Sequence, residues 1–240
     1  NGALLADNVG LLLLFREGLL CTLFGMLLYK HYENPRALLR GFTLAATADL
    51  ILMLGVTALT HAAHTGILSE ISGLSATGLG GWGAVCLLVG ALGKAGSFPF
   101  HSWLPDGAED GGAAFAAAFP GGLYGLLGGY LAARIGLAAY VIPPGSPISL
   151  LLITLGMLSL LGGIALALRQ KALRRAVAYI AIAQAGLIGL SLGAGLCGFS
   201  GAALLICTGG LAVSGLQMLL PALANKKGDK LPPSALCGVI

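Results

Sequence analysis

Apolar and polar positions fall along this chain in long blocks, not in the short periods of a surface helix or a half-buried strand. A helix that crosses the hydrocarbon core of a bilayer needs about 20 mostly apolar residues. Seven blocks meet that length, near residues 8–29, 37–60, 81–100, 113–135, 147–168, 175–196 and 200–223. An eighth begins near Leu231. The pattern predicts an all-α, polytopic membrane protein with about seven transmembrane helices.

The charges test that division. Lys30, Arg36 and Arg40 follow the first block. Arg169, Lys171, Arg174 and Arg175 follow the fifth, and Lys226, Lys227 and Lys230 follow the seventh. In an alternating topology these loops share one side, and they hold ten of the 13 basic residues. The opposite loops, around 61–80, 136–146 and 197–199, hold none. The positive-inside rule then predicts cytoplasmic basic loops and an N-terminus on the other side of the cell's inner, cytoplasmic membrane. Composition agrees: 57% of residues are hydrophobic and 9% charged, where a soluble domain carries about 25% charged residues. The 39 glycines suit membrane helices, whose backbones approach closely through small residues. The net charge of +4 is explained by the loops and points to no nucleic-acid partner. None of the five cysteines is metal-spaced; they read as small buried hydrophobes, with no disulfide framework and no metal site.

Some ionisable residues fall within the blocks. Arg134 lies at the outer end of the fourth, where a long side chain snorkels to the interface. Arg16, Glu17, Asp49 and Lys94 lie deeper, where a charge costs about 2.5–3.5 kcal/mol on insertion scales and usually pairs or lines a wet cavity. Blocks one and three run in the same direction, which predicts that Glu17 and Lys94 approach if those helices pack together. Arg16 is about 100° around the helix from Glu17 and need not be its partner. The Glu17/Lys94 pair reads either as a protonatable couple on an ion path or as a static tie between helices. Asp49 reads equally as part of that path or as a packing residue. Gln184 and Gln217 read as interhelical hydrogen-bond partners. His31 sits near a loop, and His61 and His64 as a solvated loop pair.

The stretch Gly93–Asp106, GKAGSFPFHSWLPD, combines a lysine with helix breakers. Gly93, Gly96 and Pro99 predict a broken end to the third helix. Unwound backbone at membrane depth is tolerated only where protein or water surrounds it, so the break offers Lys94 a route for protons. His101 and Trp103 are expected near the cytoplasmic interface, Trp103 as a belt residue and His101 equally as a candidate proton donor or as an interfacial structural residue.

Lys94 with FPFHSWLPD closely resembles the signature of the antiporter-like membrane subunits of respiratory complex I, Mrp antiporters and energy-converting hydrogenases. FREGLL, Phe15 to Leu20, resembles the helix that bears the family's key glutamate. ATADLILMLG around Asp49 resembles the helix that follows it. LRQKALRRAVAYIAIAQAG, Leu168 to Gly186, is similar to the family's basic loop and the helix after it. The resemblance implies that residues 1–240 form a single membrane domain, incomplete at both ends, within a fold of about 14 helices. It also implies that Glu17 modulates Lys94, the proton-carrying amine, as the pair associates and separates. The chain departs from the family where a second lysine is expected, near Gly125. It departs again where Gln184 replaces a histidine, and around Gly209 and Ser214, where a histidine and a lysine are common.

The implied function is proton translocation coupled to electron transfer in partner subunits. The partners would be other membrane subunits and peripheral redox subunits, set in the lipid bilayer. No cofactor motif occurs in the chain itself. Iron–sulfur clusters and a flavin or nickel–iron centre are expected in those partners. The alternatives are an Mrp-type Na+/H+ antiporter subunit without redox partners, and a non-conducting structural subunit.

Overall fold

The computed structural model describes residues 2–30, 35–110, 115–118, 124–137 and 139–223. A single turn, α1 (Gly2–Leu5), precedes α2 (Val9–Lys30) and α3 (Pro35–Ala63). The two-residue β1 (Leu74–Ser75), α4 (Gly78–Lys94) and α5 (Trp103–Asp110) follow. α6 (Tyr124–Leu131) runs into a π-helical stretch, Ala132–Leu137. β2 (Tyr140–Val141), α7 (Pro147–Arg169), α8 (Leu173–Gly193) and α9 (Leu196–Leu223) complete the order. Helices α2, α3, α7, α8 and α9 are long and apolar enough to cross a membrane, and α4 is a shorter apolar helix. They correspond to six of the seven predicted blocks. The remaining one, 113–135, is represented by 115–118 and by α6 with its π-helical extension. The block near Leu231, with Lys226, Lys227 and Lys230, lies outside the described residues, as do His31 and Cys237.

Small residues decide which helices touch. On α4, Gly83 and Gly90 stand seven apart; on α3, so do Ala48 and Gly55. A seven-residue spacing keeps positions on one seam of a packed helix pair, and small residues there let backbones meet. A Cβ on Gly90 would lie 2.6 Å from the Leu52 amide nitrogen, and one on Gly83 2.8 Å from Ala58 Cβ. One on Gly55 would overlap the Leu87 backbone. The same device joins α7 to α8. A Cβ on Gly156 would come 2.7 Å from Leu190 N, and one on Gly163 2.7 Å from Ala183 N. Ser149, seven before Gly156, donates to the Gly193 carbonyl at 2.6 Å. α8 is buried on most of its faces, whereas Leu14, Leu54, Leu161 and Leu211 on the outer helices are exposed. Such apolar exteriors face lipid. Cys21 and Cys207 are exposed there too, which corrects the expectation of buried thiols, since a thiol is as compatible with lipid as with a protein core.

The connections sort into two sets. In one, Asn8 bridges Ile67, Leu74 and Ser75 pair in parallel with Tyr140 and Val141, and Asp7 accepts from the Ser69 backbone and hydroxyl at 2.9 and 2.7 Å. Arg134 belongs to this set. It donates to the Leu4 carbonyl at 3.1 Å and to the Tyr130 hydroxyl, and lies 3.6 Å from Asp7. In the other set, Arg175 at the start of α8 reaches Asp106 at 2.7 Å and Glu109 at 3.2 Å on α5. Gln217 on α9 donates to the Arg174 carbonyl at 3.1 Å. The sets correspond to the basic-poor and basic-rich loops of the sequence.

Candidate functional site: a buried charge cluster at the end of α4

α4 ends at Lys94 through a glycine cap. Gly96 takes φ +87°, a conformation that L side chains rarely adopt. Its N–H donates to the Gly93 carbonyl at 3.1 Å, and the Ser97 N–H to the Leu92 carbonyl at 3.0 Å. This is the paired pattern of a Schellman C-cap. The break was expected; its cause is more local than the sequence suggested. Gly96 ends the helix and Pro99 falls in the turns that follow. Gly93 makes room for packing: a Cβ there would sit 2.8 Å from the Phe100 ring and 3.2 Å from Ala48 Cβ.

The unwound segment is clamped by α7. Ser159, fully buried, accepts the Phe98 N–H at 2.9 Å and donates to the Leu155 carbonyl at 2.8 Å. The His101 ring stacks on Phe98 with centroids 3.7 Å apart, and its buried Nδ1 has no hydrogen-bond partner among the described residues. Burial pushes the His101 imidazole below its ordinary value, opposed in part by the nearby Pro99 backbone. Trp103 is 4% exposed, inside a core cluster with Leu104 and Phe115. It is not a belt residue, because the chain turns back at Gly96 and carries α5 against α3 and α8.

The register of the α3–α4 seam places Lys94 opposite residues 48–49 of α3. Lys94 Nζ donates to Asp49 Oδ2, both side chains being buried at 1% and 6% exposure. Arg16 on α2, with no exposed side-chain surface, inserts beside them. Its Nη1 lies 3.3 Å from Asp49 Oδ1, and its Nη2 donates to Glu17 Oε1. Glu17 is 38% exposed. The four charges form an alternating row, Glu17, Arg16, Asp49, Lys94, with no net charge. The carboxylate that Lys94 meets is thus Asp49; Glu17 meets Arg16. The expected direct contact between Glu17 and Lys94 is not made, because the glycine seam ties α4 to its antiparallel neighbour α3. Arg16, which the sequence left without a role, joins the two carboxylates.

The polar residues of the later helices do what the sequence predicts. Gln184 donates to the Leu205 carbonyl at 3.0 Å across α8 and α9, and Gln217 to that of Arg174. Gly209 exists for Gln184: a Cβ there would overlap the amide group. His61 and His64 lie at the end of α3 with ring centroids 6.2 Å apart. Among the described residues no three His, Cys, Asp or Glu are grouped as metal ligands.

A charge cluster at a broken helix inside an apolar bundle is an arrangement to compare with known proteins. Residues 6–229 match the family described as NADH:quinone oxidoreductase/Mrp antiporter, transmembrane. The chain belongs to that family. It is 32% identical over 249 residues to the F(420)H(2) dehydrogenase subunit M of Methanosarcina mazei, covering 96% of this chain and 48% of that protein. It is 38% identical over 112 residues to the chloroplastic NAD(P)H-quinone oxidoreductase subunit 5 of Carpenteria californica, covering 47% of this chain and 14% of that one. Its fold is similar to a chain of the membrane-bound sulfane sulfur reductase, an archaeal respiratory membrane complex. There the TM-score is 0.81 at 22% identity, over 96% of this chain and 48% of that chain. A chain of the Mrp complex from Dietzia sp. DQ12-45-1b also gives a TM-score of 0.81, at 20% identity, covering 93% and 42%. The chain of this antiporter-family protein therefore spans at most about half the length of these relatives.

Proposed function

We propose that the chain is the ion-translocating part of an antiporter-like membrane subunit, in which Lys94 carries the proton, Asp49 is the carboxylate that holds it, and Glu17 modulates the pair. The observation that carries this reading is the buried Asp49–Lys94 pair at the last residue of α4, in a chain of this family. A lysine held by one carboxylate changes its proton affinity when that contact opens. The helix break leaves polar backbone beside it, and His101 stacks on Phe98 in the segment that follows.

Electron transfer in partner subunits supplies the driving force. The 32% identity to a subunit of an F(420)H(2) dehydrogenase supports this over transport alone. In this reading the iron–sulfur clusters and the flavin or nickel–iron centre belong to those partners, and this chain contacts other membrane subunits and the bilayer. The basic loops face the cytoplasm and the start of α2 faces the opposite side of the cytoplasmic membrane.

The test is Lys94→Met in the native assembly, purified in mild detergent and reconstituted into liposomes. Proton transport is expected to fall about tenfold or more, the scale of losing one charge-assisted hydrogen bond. Transport at the parental rate sinks the proposal. The likeness to an Mrp complex supports a second reading, an antiporter subunit with no redox partners. Assay of the same preparation for iron, nickel and flavin decides between them: cofactors bound in stoichiometric amount support the first, and a cofactor-free assembly the second.

A further inference from the structure

Arg16 is a fully buried guanidinium and the one member of the charge row to which the sequence assigned no part. A guanidinium has five donors and does not lose its proton in a protein. Here one donor, on Nη2, is used by Glu17. Nη1 and Nε have no hydrogen-bond partner among the described residues, and neither has Asp49 Oδ1, although Nη1 and Oδ1 are only 3.3 Å apart. An open donor thus faces an open acceptor at ion-pair distance, and a small rotation of the guanidinium would join them. Asp49 meanwhile holds Lys94 through its other oxygen.

From this geometry we infer that Arg16 is a positioning residue, a fixed positive charge shared between Glu17 and Asp49 through which Glu17 acts on the Asp49–Lys94 pair. The inference rests on the reading of Lys94 as proton carrier. When Glu17 is ionised it holds the guanidinium, and Asp49 is left to Lys94. When Glu17 is neutral the guanidinium turns to Asp49, which then has two cations to serve and holds Lys94 less firmly. Arg16 itself carries no proton. Other ionisable side chains stand on the neighbouring elements. α6 has only the phenols of Tyr124 and Tyr130, and α7 only Arg169 at its last residue. α5 carries Asp106 and Glu109, both tied to Arg175, and Asp110.

The experiment uses the intact assembly in liposomes and compares Arg16→Gln, Arg16→Lys and Lys94→Met. Removing the charge in Arg16→Gln is expected to lower transport about tenfold or more, since hydrogen bonds to charged groups are worth about 1.5–3 kcal/mol. Arg16→Lys, which keeps a cation but has no planar fork to span both carboxylates, is expected to recover part of that loss. A residue that only fills space gives no such recovery. Parental transport in Arg16→Gln overturns the inference, and so does equal loss in Arg16→Lys and Arg16→Gln. Should Arg16→Gln fail to accumulate, the charge-balanced Arg16→Gln/Glu17→Gln decides. Accumulation of that double variant supports the shared counter-charge, and its failure shows a packing role. Lys94→Met separates the two levels: if it transports like the parent, the carrier reading falls whatever Arg16 does. If it is silent while Arg16→Gln is parental, the Arg16 inference alone falls.

Discussion

Asp49→Asn is the perturbation that most directly tests the order of the charge row. The substitution keeps the shape of the side chain and removes its charge. It leaves Lys94 and Arg16, at 1% and 0% side-chain exposure, with Glu17 as the remaining carboxylate of the row among the described residues. Removing one partner of a buried pair costs about 3–5 kcal/mol, because the other charge stays in a medium that solvates it poorly. That lowers the folded-to-unfolded ratio by about two to three and a half orders of magnitude. Glu17→Gln removes a carboxylate that is 38% exposed and touches only Arg16 among the described cations. Partial exposure of Glu17 discounts the pair, but Arg16 is fully buried, so the loss is expected at about 1–3 kcal/mol, below that of Asp49→Asn. The double variant Asp49→Asn/Lys94→Met removes both ends of one pair and leaves Arg16 with Glu17, so it is expected to be more stable than Asp49→Asn alone. The assay is the thermal midpoint of the detergent-solubilised assembly, followed by the fraction that remains monodisperse. A loss for Glu17→Gln equal to or larger than that for Asp49→Asn would mean that Lys94 is held by Glu17 after all, and the register argument from the α3–α4 seam would be wrong.

Four further outcomes follow from the packing. Ser159→Ala leaves the buried Phe98 N–H without its acceptor, at a cost of about 1–3 kcal/mol; hydrogen exchange at the Phe98 amide should quicken, and unchanged exchange would show that Ser159 is not the clamp. Gly90→Ala drives a methyl to 2.6 Å from Leu52 N and should destabilise by about 1–3 kcal/mol, whereas Gly18→Ala on α2 meets nothing within 4 Å and should be neutral or stabilising in a thermal melt. Gly209→Ala displaces the Gln184 amide and should be destabilising on its own, with much of that loss recovered in Gly209→Ala/Gln184→Ala; purely additive losses would contradict the contact. His101, with its folded value lowered from 6.5 by burial, binds fewer protons folded than unfolded just below that pH, so its share of stability rises with pH there and is lost as pH falls through the lowered value; His101→Phe should flatten that acid limb, and an unchanged limb would remove His101 from it.

The spans that the sequence revealed are those whose length and hydropathy suffice. α2, α3, α7, α8 and α9 each hold a mostly apolar stretch of 18 to 23 residues between polar loops, and nothing in tertiary structure needs to be known to find them. Lys94 was visible because a charge in an apolar block is expensive. Its partner was not, because span direction alone favours helices one and three. The information that points to α3 lies in residues without chemistry: Gly83, Gly90, Ala48 and Gly55, seven apart on two antiparallel helices. Read as a seam they place position 94 against position 49. Arg16 escaped for a related reason. A rotation of 100° from Glu17 separates the side chains at their roots but not at the end of a guanidinium stem. Trp103 was misplaced because an aromatic near a charged loop has the composition of an interface belt, while the turn at Gly96 that buries it depends on three-dimensional return of the chain.

The later helices, poor in charge, bear on the direction in which Lys94 is coupled. Gly125 stands near where the resemblance leads one to expect a lysine on α6, and the neighbouring glycines are not openings. A Cβ on Gly128 would lie 2.6 Å from both the Ala91 carbonyl oxygen and the Ala95 nitrogen, on the last turn of α4. One on Gly129 would lie 2.7 Å from Ile206, with Ile188 at 3.4 Å. α6 is therefore pressed backbone to backbone against the helix that carries Lys94, and the space toward α8 and α9 is filled by isoleucines. Water needs two to four polar partners and room for itself, and this contact supplies neither. The carboxylate that Lys94 meets stands on α3, at Asp49, and Arg16 and Glu17 on α2 continue the row from it. In the conformation described, the ion pair of Lys94 is made with α3, while α6 meets α4 through glycine.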